Sequence, residues 1–141
     1  MKHANWVVVL MLVALSGLAV AQLASNSTIV ANVPFEFVVG NKVVPAGQYK
    51  VQTMTMDGKS LAIRNADAKV NMVSSTLQTE GKEIASHYSL VFTKYGDTYF
   101  LSGIKLEGSK IAYRFPESRA EAELRAQNTP VTEETLLAAR E

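Results

Sequence analysis

Cysteine is absent from the chain, so neither a disulfide framework nor a thiolate metal site can be built from it. Histidine is almost as scarce, with His3 and His87 its two occurrences, and no H-x-x-x-H pair or acidic calcium-loop pattern makes up for it. No G-x-S-x-G elbow presents a serine, and no glycine-rich phosphate loop occurs. Basic residues never form a run. Nucleic-acid binding, which needs a basic stripe to displace counterions from phosphates, is therefore not expected. Without staples or metals, stability has to come from a packed core.

What is present begins with an address. Met1-Lys2-His3 carries a single early charge, and Trp6 to Leu15 is an unbroken apolar run that gives way to Ser16 and Gly17. The segment closes on Ala19-Val20-Ala21, small at the two positions a signal peptidase reads. Residues 1–21 are thus expected to be a signal peptide cut between Ala21 and Gln22. The apolar run of about 15 residues is shorter than the roughly 20 that a bilayer-spanning helix needs. No cysteine follows to take a lipid anchor, so the expected product is soluble, exported, and periplasmic or extracellular. Removing Lys2 leaves thirteen of the fourteen basic side chains against thirteen acidic ones, a near-neutral mature chain. About 120 residues suit one domain with its own core.

From Ser27 onward, β-branched and aromatic residues come in short runs separated by Gly, Asn and Asp. Val33, Phe35, Phe37 and Val39 share one parity, the pattern of a strand with one buried face, while Pro34 argues for an edge or an irregular stretch. Pro45-Ala46-Gly47 reads as a turn leading into a strand through about Met56. Asp57-Gly58 is the strongest hairpin signal and should pair that strand with the run from Ser60. Asn65-Ala66-Asp67-Ala68 makes another turn, and a Ser/Thr-rich strand then runs to about Thr79. Gly96-Asp97 joins two aromatic-rich runs as a further hairpin, and Ile111, Tyr113 and Phe115 alternate in a last strand. The expected fold is all-β: an antiparallel meander of about eight strands forming a sandwich or small barrel over residues 22–116.

After Pro116 the period turns helical, and residues 117–141 read as a C-terminal helical tail. Ser118-Arg119-Ala120-Glu121 has capping-box form and predicts a helix through about Gln127, stopped by Asn128-Thr129-Pro130. Thr132 is the expected cap of a second short helix, with Val131 stapled to Leu136.

On Val33-Pro34-Phe35-Glu36-Phe37, Val44-Pro45-Ala46-Gly47-Gln48-Tyr49-Lys50-Val51, Tyr95-Gly96-Asp97-Thr98-Tyr99-Phe100-Leu101 and Ser118-Arg119-Ala120-Glu121, the chain resembles the small exported proteins of unknown function abundant in acidobacterial genomes. The resemblance spans most of the mature chain and implies no activity or site residue. The Pro45-Ala46-Gly47-x-Tyr49-x-Val51 piece is similar to a turn-strand of transthyretin-like and other prealbumin-type modules, and implies a sandwich.

His87 is the sole histidine beyond the leader. As a general base it would need a serine beside it and an orienting carboxylate, yet Asp57, Asp67 and Asp97 are all explained as turn residues. The more economical reading is a half-exposed strand histidine. Paired carboxylates of glycosidase type are not evident: Glu121, Glu123, Glu133 and Glu134 fall on the helical tail, Glu80 and Glu83 flank a Gly-Lys turn, and Glu36 faces outward between Phe35 and Phe37. No catalytic, cofactor-binding or metal-binding residue is nominated. The ten aromatics from Phe35 to Phe115 are read as core, or, in an open barrel, as the lining of an apolar pocket. The expected function is a non-enzymatic envelope or secreted module with a protein partner in the cell envelope. The alternative is a lipocalin-like carrier of a small apolar ligand. An enzyme would have to work through His87, Glu36 or Asp97.

Overall fold

The computed structural model describes residues 28–141 apart from 56 and 58. The expected signal peptide and Gly58 of the first hairpin lie outside the described residues. The strands are β1 (Thr28–Val33), β2 (Phe37–Val39), β3 (Lys42–Val44), β4 (Gly47–Thr53), β5 (Ser60–Asn65), β6 (Val70–Ser75) and β7 (Leu77–Glu80). They continue with β8 (Tyr88–Tyr95), β9 (Thr98–Lys105) and β10 (Ile111–Arg114), then one helix, α1 (Arg119–Ala126), and β11 (Val131–Arg140).

The fold is all-β, and its sheet nearly closes into a barrel. The hydrogen-bonded order runs β3-β2-β9-β8-β11-β1-β4-β5-β6, while β10 bridges β9 and β7. Because β6 runs on into β7 through Thr76, whose N–H bonds to the Lys59 carbonyl at 2.8 Å, one bent strand reaches from β5 round to β10. That route brings the ring close to completion. The hairpins β4–β5, β5–β6 and β8–β9 are antiparallel as expected. One pair is not: β2 lies parallel to β9 through Phe37–Tyr99 and Val38–Phe100.

Alternation fills the interior. Val33, Phe37 and Val39 point inward with Tyr49, Val51, Leu61, Ile63, Leu90, Phe92, Leu101 and Ile104. Phe37 stands edge-on to both Tyr49 and Phe92, with ring centroids 5.0 and 5.3 Å away. Burying side chains of this size contributes about 1.5–3 kcal/mol each. The parity read across Val33, Phe35, Phe37 and Val39 holds, but the strand does not: Pro34, Phe35 and Glu36 break it, and the chain leaves β4 to join β9. A proline without an N–H donor sits at the break.

On β9, Val91 faces Gly103 while Phe92 faces Leu101, which leaves Ser102 as a bulge whose Oγ donates to the Val91 carbonyl at 3.0 Å. The bulge moves the inward face from Leu101 to Ile104. It also marks where β9 exchanges β2 for β10 along the same edge. A Cβ at Gly103 would lie 3.0 Å from the Tyr113 carbonyl oxygen, so this close approach favours glycine.

The tail departs from expectation. Ser118 caps α1 by accepting from the Glu121 N–H at 3.2 Å. Asn128, at φ 55°, ends it, with Asn128 and Thr129 N–H groups bonding back to the Arg125 and Leu124 carbonyls. The second helix does not form: Thr132 caps nothing, Val131 and Leu136 make no staple, and Glu133 and Glu134 lie on β11. Residues 117–141 are therefore one helix followed by a strand of the barrel. β11 pairs with β8 from Val131–Tyr95 to Ala138–Tyr88 and then with β1 at Ala139 and Arg140. Unpaired ladder groups on the edges of β8 and β1 outweigh the modest helix preference of Glu, Leu, Ala and Arg. No helix of the described residues is long and apolar enough to cross a membrane.

Candidate functional site

Among the described residues, the core space bounded by β1, β4, β5 and β9 is too small for a ligand. Between Ile29, Val51, Thr53, Leu61, Ile104, Leu106 and Tyr113 the free volume is about 10 Å³, barely the space of one water molecule. The usable concavities are outside. A hollow of about 400 Å³ opens at one mouth of the barrel, and an open groove of about 580 Å³ runs along the outer face of the sheet.

The mouth hollow brings Glu36 and Asp97 into one lining, together with Phe35, Val43 and Tyr99. Phe35 stacks on Tyr99 with centroids 3.7 Å apart, and the Lys94 amine sits 5.1 Å from the Tyr99 ring centre. Hydrogen bonding to Tyr99, aided by Glu134 and Asp97, holds the Lys94 amine above its usual range. Tyr99 thus links the Phe35 ring in the hollow to the Lys94 amine beside it.

The outer groove is built from four separate segments. Its floor is a row across three strands, Lys105 on β9, Ser89 on β8 and Leu137 on β11, set side by side by the ladder register. Its wall is the segment Gly81–His87, fastened by backbone bonds. The Gly81 N–H donates to Lys110, the Ala85 N–H to Ser109, and Gly108 returns one to Ala85, at 2.8, 3.0 and 2.8 Å. Three large apolar side chains stand out in this groove: Ile84 at 62%, Leu137 at 68% and Ile111 at 40% exposure. Lys82, Lys105 and Lys110 line it against a single carboxylate, Glu83. Among the described residues none of these lysines joins an ion pair, whereas Lys50, Lys59, Arg119 and Arg125 all do.

His87 lines this groove too, apart from Glu36 and Asp97. It lies in the segment before β8 rather than on a strand, and it is exposed. Ser86 and Ser89 share its lining, but no hydrogen bond among the described residues joins either to the imidazole. Asp57 behaves as a turn residue: its carboxylate accepts from the Thr55 hydroxyl at 2.6 Å and the Lys59 N–H at 3.0 Å, and these bonds hold it below the usual carboxylate range. The described residues include no group of three or more potential metal ligands.

Outside the barrel, α1 lies over β8. Tyr95 and Phe100 meet edge-on there, 5.7 Å apart. Burial, and then the neighbouring Glu121 and Glu117 carboxylates, push the Tyr95 hydroxyl up. Burial first, and Glu117 second, raise the Glu121 carboxyl.

The groove residues escaped sequence reasoning because they are scattered over Gly81–Ala112 and β11, and no local pattern joins them. One signal was present: Ile84 is a large apolar residue inside a polar stretch, Gly81 to His87, that supplies no strand to bury it.

Comparison of the chain with protein-family models, with curated proteins and with solved structures returned no match.

Proposed function

We propose that the chain is an exported, non-enzymatic binding module of the cell envelope or the extracellular space, which engages a macromolecular partner at the outer groove. Support comes from a contrast between inside and outside. Phe37, Tyr49 and Phe92 close the interior, while Ile84, Ile111 and Leu137 remain together in the open beside unpaired lysines. Exposed apolar groups gathered in a groove with polar surroundings are the usual mark of an interaction surface. A carrier of apolar ligands would need an internal cavity, and the volume of only about 10 Å³ between Ile29, Leu61, Ile104 and their neighbours weighs against it.

Two experiments test this reading. Fractionation with N-terminal sequencing should recover a product beginning at Gln22 outside the cytoplasm; a cytosolic product retaining Met1 would end the export claim. Affinity capture from the envelope fraction should yield a saturable partner with the wild type and lose it with the double substitution Ile84→Asp and Leu137→Asp. Equal capture by both would remove the groove from the reading.

A further inference from the structure

We infer that the groove takes an extended segment of another polypeptide in which acidic residues flank an aliphatic one; this rests on the binding-module reading and names its partner class. Charge is the first argument. Three lysines, none of them ion-paired within the described chain, face one carboxylate, Glu83. An approaching anionic segment gains attraction that the chain does not supply internally, and such complementarity chooses partners and speeds encounter.

Shape is the second. The groove is an open channel between the Gly81–His87 wall and the floor of β9, β8 and β11. A small amphiphile depends on burying most of its surface, which an open channel does not provide. An extended segment can lie along it with both ends in solvent. The apolar groups are placed for that: Ile84 rises from the wall, Leu137 from the floor, and Ile111 from the start of β10, with Lys82, Lys105 and Lys110 among them. A groove lined by both apolar and cationic groups fits a segment that carries both acidic and aliphatic side chains. The wall is held by backbone hydrogen bonds at both Gly81 and Ala85, so little ordering cost falls on this side of the complex.

The test is fluorescence anisotropy with three labelled probes on the full mature chain: a short peptide with leucines flanked by glutamates, the same peptide with lysines in place of glutamates, and one with serines in place of leucines. The acidic-aliphatic peptide should bind with an affinity that falls as salt rises, and the other two should bind at least about tenfold more weakly. Lys82→Glu with Lys110→Glu should cost about tenfold or more, with the folded state checked by circular dichroism. Amide shifts in an NMR titration should cluster at residues 81–87, 105–112 and 135–137. Equal binding of all three probes, or indifference to the lysine reversals, would overturn the inference. So would association with vesicles of anionic phospholipid in place of the peptide, or self-association that occludes the groove. If envelope capture still depends on Ile84 and Leu137 while no acidic peptide binds, the partner class is wrong and the binding-module reading stands.

Discussion

Tyr49 shows how one residue ties the fold together. Its ring is fully buried, and its hydroxyl donates to the Pro45 carbonyl at 2.6 Å, so the Pro-Ala-Gly turn and the strand after it are locked as a unit. Tyr49→Phe should cost about 1 kcal/mol in urea unfolding, the usual net worth of such a bond; an unchanged midpoint would mean the bond contributes nothing. Gly47 is held more strictly, since a Cβ there would come within 2.6 Å of the Asn65 amide nitrogen. Asn65 is buried, and its Oδ1 accepts from the Asp67 and Ala68 N–H groups that shape the next turn, so it cannot simply swing aside. Gly47→Ala should destabilise by about 1–3 kcal/mol, as overpacking does, and the loss should shrink when Asn65→Ala is added. Additive losses would contradict the contact. That Gly47 and Tyr49 mattered was legible, because turn chemistry and alternation are local. The Asn65 contact crosses to another strand and was not.

At the scale of elements, α1 and β11 differ in how much they hold. α1 buries no residue of its own, and the Glu121 carboxyl is raised above its usual range by burial and then by Glu117. A raised folded value means that the helix gains stability in the protonated form. The gain is fully present below the ordinary carboxylate range and is lost as pH rises through the raised value. Amide protection of residues 119–127 should therefore increase on mild acidification, and Glu121→Gln should keep the higher protection at neutral pH. Falling protection on acidification would refute this. β11 is the opposite case. It joins β8 to β1, and the Glu141 N–H and carboxylate reach Thr28 and Lys50 beyond it. Deleting Val131–Glu141 should abolish cooperative thermal unfolding by circular dichroism, because β8 loses its long ladder to β11 and β1 loses its link to that side of the sheet. A truncated chain that still melts cooperatively would show that β11 is an accessory. Reading the segment after Pro130 as a short helix followed from Thr132 as a cap and Val131 against Leu136 as a staple. The alternation of Glu134, Leu136 and Ala138, half-buried between exposed neighbours, is equally visible in the text, but which period wins is decided by the gap between β8 and β1.

For the whole molecule, short strands punctuated by turns made the all-β class legible, while the closing route was not. Closure depends on β6 continuing into β7, on β9 changing partners at a bulge, and on the last strand returning to the first, none of which has a local signature. The groove inherits this in part: its floor needs β11 set beside β8, and its wall is fastened to the Gly108–Lys110 turn by bonds that no local pattern announces. The most direct measurement is hydrogen-exchange footprinting of the chain alone and with whatever protein affinity capture from the envelope fraction yields. Binding at the outer groove predicts new protection confined to residues 81–87, 105–112 and 135–137. Protection centred instead on Phe35–Val44 and Asp97–Tyr99 at the mouth, or spread through the interior strands, would contradict it.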